Sequence, residues 1–445
     1  MSLVGVGGYL NWINSGALVR EGNWIGLDFH VYYQAAKVLS RGEDIYLAGI
    51  SPPYVYPPLL AIMTLPLSLL SVTAATILWK LLQHLCLLIA GWLLVRLLPR
   101  PIRPLAAGML LLGLLTAPLQ SEIRLGESNS LILLLQVGAI YLVARQRNPN
   151  VKHESQQAPP PGPLSRQAPL MTSTNDKISY SEIAAGSLLA LAVSIKVLPI
   201  LLVAYFWWRG PRNVALVASV GFVALQLISQ IITPATTHYW FGVFPDLFGQ
   251  AFPFLDNQSL NAVISRALLP NIDPSLPNTQ ITDGEALRPI VTWIANLLAA
   301  TATIWVLWTT RKRAPDVDLA QESEGRTVRL LLEVSLVMIT TLLVSGSTWL
   351  HHLIALSVPV TALLGAWWLG RQKKRNSMIG ALIGALLLGL GGVVLLRTPE
   401  EWLRLTATLA PQSPLLALVA SSAAMLVVVG LWAAVARTLL RKHHV

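Results

Sequence analysis

Residues 74–96 read Ala74-Ala-Thr-Ile-Leu-Trp-Lys-Leu-Leu-Gln-His-Leu-Cys-Leu-Leu-Ile-Ala-Gly-Trp-Leu-Leu-Val-Arg96. A helix of about 20 mainly apolar residues crosses a bilayer, and this run has that length and ends on a basic residue. Similar segments are expected at 105–119, 129–145, 182–195, 197–208, 213–233, 288–310, 327–344, 349–369, 377–396 and 414–437. The reading is therefore an all-α, polytopic transmembrane helical bundle of about 11 spans, formed by residues 1–445 as a single domain. Composition agrees: of 445 residues, 54% are hydrophobic and only 12% charged, with mean hydropathy +0.59. A soluble domain carries about a quarter charged residues. The shortfall excludes a soluble enzyme and a disordered chain. The net charge of +11 does not indicate nucleic-acid binding, because the basic residues lie in short loops between apolar runs. Cys86 stands alone, which excludes a disulfide framework and a thiolate metal site.

Charge sets the orientation. Lys and Arg collect on the cytoplasmic side of a membrane. Segments 182–195 and 197–208 are each short, and they form either one kinked span or a hairpin turning at Lys196. As a hairpin, they put Arg96, Arg145, Arg209, Arg212, the cluster 311–313, the cluster 371–375 and Arg437 on one side. As a single span, Arg209, Arg212 and the clusters at 311–313 and 371–375 fall on the side opposite Arg96 and Arg145. The hairpin is expected, with the C-terminus cytoplasmic and 1–73 outside. No cleavable signal is visible, and residues 1–18 are too short and glycine-rich to span, so a missing first helix is expected. Residues 57–70, interrupted by Pro66, suit a re-entrant or interfacial helix. The Pro-, Gln- and Ser-rich stretch 146–180 reads as a flexible cytoplasmic linker.

Three outer segments are long enough to hold a site: 1–73, 120–128 and 234–287. In the first, Val31, Ala35, Val38 and Leu39 recur at helical spacing, which predicts an amphipathic helix over 29–40 lying on the membrane. Asp28 stands at its start, either as an N-cap or as a catalytic carboxylate. Glu333 is the acidic residue well inside a span, and its spacing from Arg329 predicts local pairing. Arg124 and Glu127 are expected to pair in the same way.

Asp28-Phe29 with Tyr32 and Tyr33, then Gly42, Tyr46 and Tyr56-Pro57-Pro58, resembles glycosyltransferase family 87. These are polytopic GT-C enzymes related to polyprenol-phosphate-mannose-dependent α-mannosyltransferases. Later stretches agree in order. Gly126-Glu-Ser-Asn129 resembles the family's Gly-Gln-x-Asn, with Glu127 where Gln is usual. Ile195-Lys196 with Pro199 resembles its Lys-x-x-Pro hairpin, Asn257-Gln-Ser-Leu260 with Arg266 its Asn-Gln-Ser-Leu loop, and Trp349 with His351 and His352 its Trp-x-x-His stretch. The resemblance covers roughly residues 26–370. The family has a helix before the Asp motif, which agrees with a missing first helix.

The resemblance implies a plasma-membrane enzyme with its site on the extracytoplasmic face. It would move a hexose, mannose first, from a polyprenyl-phosphate donor to a hydroxyl on a glycolipid, glycan or protein, with inversion. Asp28 is then the general base. The leaving phosphate calls for cations and donors: Lys196 foremost, then His351, His352 and Arg266, with Asn257, Gln258 and Asn129 lining the site. Tyr56 is a candidate for stacking on sugar, against an interfacial aromatic belt. No metal, cofactor or nucleic acid is expected. Neither Asp-x-Asp nor a nucleotide-sugar fold is present, which argues against a nucleotide-sugar donor. A transporter or lipid-linked-sugar flippase would need polar residues through the bundle and repeat symmetry. An inactive, truncated family member is the other alternative.

Overall fold

The computed structural model describes residues 26–146, 178–247, 257–268, 287–311, 323–372, 405–406, 408–409 and 413–440. Among these residues there is no β-strand, only an isolated antiparallel bridge between Asn257 and Trp349. The expected linker over 146–180 and the expected span 377–396 lie almost wholly or wholly outside the described residues.

The helices are α1 (Leu27–Ser40), α2 (Pro58–Thr64), α3 (Val72–Arg96), α4 (Arg103–Gly113), α5 (Ala117–Leu125), α6 (Asn129–Gln146), α7 (Tyr180–Ile195), α8 (Ile200–Arg209), α9 (Arg212–Ile232), α10 (Ala235–His238), α11 (Leu260–Leu268), α12 (Leu287–Arg311), α13 (Ser323–Val344), α14 (Ser357–Gln372), α15 (Pro414–Ser421) and α16 (Ala423–Leu440). A 3₁₀ turn, Leu350–Leu356, leads into α14. Seven of the described helical segments are long and apolar enough to cross a membrane, and eight if the bent pair α4–α5 counts as one. Two local features, with segment 377–396 lying outside the described residues, separate this from the expected eleven. The 105–119 segment bends by 58° between α4 and α5. Segments 182–195 and 197–208 form helices of 16 and 10 residues, each short for a span. Segment 414–437 breaks after Ser421 but still supplies one of the seven.

The hairpin at Lys196 is visible in which helix ends meet. Gln146, closing α6, donates to Ser179 Oγ at 2.6 Å beside the start of α7. Lys196, following α7, donates to Asn129 Oδ1 at the start of α6 at 2.9 Å. Helices α6 and α7 therefore run antiparallel. Asn213 at the start of α9 donates to Glu182 at the start of α7 at 3.3 Å, so α7 and α9 run parallel. Helix α8 must then return between them. Small residues allow the close approach of α7 and α9: a Cβ on Gly186 would lie 2.6 Å from Val217 Cβ and 2.8 Å from the Val214 carbonyl oxygen. Close backbone contact at small residues is how helices pack where lipid supplies no hydrophobic drive. Ser179 and Glu182 form a capping box that starts α7, satisfying two backbone donors reciprocally.

Helices α3, α9 and α12 leave Leu81, Leu88, Val220, Leu227, Leu297 and Leu298 exposed. On a soluble protein such a surface would aggregate; on a bundle of apolar spans it is the face turned to lipid.

At the basic end, Glu333 is buried against two arginines. Arg209 Nη2 lies 2.5 Å from its Oε1 and Arg329 Nε 3.1 Å away, while Tyr205 donates to Oε2 at 2.8 Å. The pairing with Arg329 follows the sequence spacing; Arg209 and Tyr205 arrive from α8. Removing one partner of a buried pair strands the other charge, at about 3–5 kcal/mol. Glu333→Leu should therefore lower the thermal unfolding midpoint strongly, and adding Arg209→Met should recover part of the loss. Equal midpoints for wild type and Glu333→Leu would contradict the clamp.

Candidate active site

At the opposite end a polar cluster forms around the turn Gly126-Glu-Ser-Asn129. Helix α5 stops because Gly126 adopts a left-handed conformation (φ 74°), with its N–H and that of Glu127 both bonded to the Glu122 carbonyl. Glycine adopts this conformation at no steric cost. The turn is held from α3: Trp79 Nε1 donates to the Gly126 carbonyl at 2.7 Å, and Gln83 Nε2 to the carbonyls of Glu122 and Glu127 at 3.0 and 2.8 Å. Gly126 also touches α1. A Cβ there would sit 2.7 Å from Phe29 Cβ, so α1 is seated directly on the turn.

That seating positions Asp28. The N-cap of α1 is Gly26, and no side chain caps the helix. Asp28 is the second helical residue and is not a cap. The helix is buried along most of its faces, including Phe29, Val31, Tyr32, Tyr33, Ala35 and Ala36. It is therefore a packed element rather than one lying on the membrane with a single face buried.

Two glutamates, Glu122 before the turn and Glu127 within it, have different partners. Glu122 is occupied locally: Asn129 Nδ2 donates to it at 2.9 Å and Ser130 N at 2.7 Å, which caps α6. Glu127 is buried and served by distant elements. Tyr32 Oη donates to its Oε2 at 2.9 Å, Tyr56 Oη at 3.1 Å and Ser128 N at 3.2 Å. His351 Nε2 lies 3.1 Å from its Oε1, an ion-pair contact off the axis of a hydrogen bond. Asp28 precedes Tyr32 by four residues on the same face of α1, which brings its carboxyl against Glu127. The expected Arg124–Glu127 pair does not form; Arg124 is exposed.

Lys196 is the neighbouring cation. Its ammonium donates to Asn129 Oδ1 at 2.9 Å, lies 2.7 Å from His352 Nε2, and stands 5.3 Å from the centroid of the Tyr56 ring. Among the described residues no carboxylate lies within ion-pair distance of it. His352 is held on its other side, where Trp349 N approaches Nδ1 at 3.2 Å. Asp28, Tyr56, Asn129, Lys196, His351 and His352, widely separated in sequence, are thus brought into one cluster.

Asn257, Gln258 and Arg266 take other partners. Asn257 Oδ1 accepts from Thr348 N at 2.8 Å and Ser259 N at 3.1 Å. Gln258 bonds the Ser421 carbonyl and Met425 N, each at 3.0 Å. Arg266 donates to the carbonyls of Asn257 at 3.0 Å and Ser421 at 3.2 Å. Burial lowers its guanidinium to about 10, still cationic at neutral pH. These three tie the outer loop to the Trp349 turn and to the α15–α16 junction, and so support the histidines from behind. No three His, Cys, Asp or Glu side chains among the described residues are grouped to hold a metal ion.

Sequence reasoning did not single out Glu127, Tyr32 or Gln83 as parts of the site. The signal available was the acidic side chain inside an otherwise recognisable turn.

Burial, and next the Glu127 charge, raise the Asp28 carboxyl to about 9, Lys196 opposing. Burial would raise Glu127 as well, but His351, Lys196 and His352 outweigh it and hold that group well below the carboxylate range. The sign for stability follows. Asp28 ionises near 3.8 when unfolded and near 9 when folded, so the folded state loses stability as pH rises between these values. Asp28→Asn should match wild type below about pH 4, gain on it as pH rises, and exceed it at pH 8 by on the order of 1 kcal/mol or more. Thermal unfolding across pH checks this. Equal midpoints throughout, the result for a simple cap since Asn caps as well as Asp, would contradict it.

The chain matches the model of glycosyltransferase family 87 over residues 54–333. It is also 25% identical over 407 residues, 85% of this chain and 77% of the relative, to a polyprenol-phosphate-mannose-dependent alpha-(1-2)-phosphatidylinositol mannoside mannosyltransferase of Mycobacterium tuberculosis. No solved structure matches it. With its bundle of apolar helices and a polar cluster at one end, the protein is a membrane glycosyltransferase and belongs to glycosyltransferase family 87.

Proposed function

We propose that the protein transfers a hexose, mannose in the first instance, from a polyprenyl-phosphate carrier to a hydroxyl of a glycolipid, with inversion and with Asp28 as the proton acceptor. The observation that carries this reading is the juxtaposition of the Asp28–Glu127 carboxyl pair with Lys196, whose ammonium rests on neutral partners. An ammonium has three donors. Asn129 and His352 occupy two positions around it, leaving one for an anion.

In the proposed step the acceptor oxygen bonds to the anomeric carbon as the bond from that carbon to the phosphate oxygen breaks. The electron pair leaves with the polyprenyl phosphate, and the hydroxyl proton passes to Asp28. Charge grows on the phosphate as the bond breaks, and Lys196 meets it in an environment of low polarity, where such stabilisation is worth most. Tyr56, anchored by its hydroxyl to Glu127, presents its ring between carboxylate and cation. The lipid donor and acceptor both suit a site at helix-end level. The arginine-rich opposite end supports an extracytoplasmic position in the plasma membrane and a cytoplasmic C-terminus. The similar relative's name supports mannose and a phosphatidylinositol-type acceptor.

The test is transfer of radiolabelled sugar by purified protein in lipid. Wild type should glycosylate a lipid acceptor from polyprenyl-phosphate mannose. Lys196→Ala should lower kcat about 10²–10³-fold, with Lys196→Arg retaining part. Absence of transfer from every polyprenyl-phosphate hexose offered, alongside transfer from a nucleotide sugar, would overturn the reading.

A further inference from the structure

Glu127 is placed to do more than fill the turn. It is buried among donors that reach it from α1, from the loop before α2 and from its own turn, with the His351 ring of the 3₁₀ turn before α14 against it. None of these contacts is needed to cap α6, since Glu122 does that. Its remaining neighbour is Asp28. An ionised carboxylate only accepts hydrogen bonds. A hydrogen bond between two carboxyl groups therefore requires a proton on one of them. Tyr32, Tyr56 and Ser128 N all donate to Glu127, and His351 stands against it, so Glu127 is the member stabilised as an anion. The proton belongs on Asp28.

We propose that Glu127 is a positioning residue that forms a one-proton carboxyl pair with Asp28, so that the resting enzyme holds Asp28 protonated and transfer proceeds only from the deprotonated pair. The proposal rests on the assignment of Asp28 as proton acceptor for its catalytic meaning, but the pair itself exists independently of the substrate. Two like charges at hydrogen-bond distance resist joint ionisation, and the pair titrates as a unit. The groups facing it are Lys196 at the α7–α8 turn, His351 and His352 on the 3₁₀ turn, Glu122 on α5, Tyr32 on α1 and Tyr56 before α2. Lys196 and His351 favour the anion and Glu122 opposes it, and His351 makes its contact with Glu127. A base with high proton affinity is weakly available at rest but strong once deprotonated. The same arrangement therefore makes the rate of transfer rise with pH beyond the range of an ordinary carboxylate.

The direct test is infrared titration of the full-length protein in lipid nanodiscs, following the carbonyl stretch of protonated carboxyl groups. Wild type should keep a protonated carboxyl band at neutral pH, and Asp28→Asn should lose it. In Glu127→Gln, of the same shape without the charge, the Asp28 band should titrate at least one pH unit lower. The acid limb of kcat/KM should move by a similar amount in the same direction. If Glu127→Gln does not fold, the wild-type and Asp28→Asn spectra still decide. A missing Asp28-dependent band at neutral pH overturns the proposal, as does an unmoved midpoint in folded Glu127→Gln. The spectra need no substrate. Failure of sugar transfer would sink the proposed function alone, and failure of the band would sink the pair alone.

Discussion

A carboxylate buried in an apolar helical bundle must be surrounded by donors, and Glu127 imposes that requirement on everything near it. Removing such a charge from water is costly unless it is paired and hydrogen-bonded. The donors come from Tyr32, Tyr56 and Ser128 N, and the His351 ring stands against the other oxygen. Satisfying this one side chain therefore draws α1, the loop before α2 and the 3₁₀ turn before α14 onto the Gly126 turn. Asp28, Lys196 and His352 are carried in with them. The site is a consequence of solvating Glu127 with protein.

The bundle contains a second buried carboxylate, Glu333, and the contrast shows why chemistry belongs at one end. Glu333 is bound by Arg209, Arg329 and Tyr205, and each arginine gives a further donor to a backbone carbonyl, Leu307 and Thr310. That network closes on itself and locks α8 to α12 and α13. At the other end the cation rests on an amide oxygen and an imidazole, and the acid rests on another acid. Each of those groups retains capacity for a substrate atom. A closed network gives stability; an open one leaves room for a phosphate and a proton.

Much of the architecture was legible because apolar length and basic ends are local properties. The hairpin at Lys196 followed from charge alone, and the ends of α6, α7 and α9 meet accordingly. The number of spans was less legible, because the bend between α4 and α5 leaves hydropathy almost unchanged and α7 and α8 are apolar but short. Asp28 looked like a cap because it precedes an apolar periodicity, yet Gly26 takes that place and the helix begins two residues earlier. Arg124 and Glu127 looked like a helical pair; the left-handed Gly126 between them turns Glu127 inward and leaves Arg124 outside. Arg266, Asn257 and Gln258 are expected in the site from the family resemblance, and their contacts include backbone at the Trp349 turn and the α15–α16 junction, which spacing does not reveal. Each departure arises from long-range packing, to which spacing along the chain is blind.

The central claim is that one end of the bundle holds both the phosphate and the proton acceptor of a lipid-linked sugar transfer. Electron cryomicroscopy of the protein in nanodiscs with a non-hydrolysable polyprenyl-phosphonate mannose analogue tests it most directly. The account predicts phosphonate density against Lys196 Nζ, with the sugar ring lying between Tyr56 and Asp28. Density at the Arg209–Arg329 end, or a phosphonate clear of Lys196 with Asp28 turned away from the anomeric carbon, would contradict it.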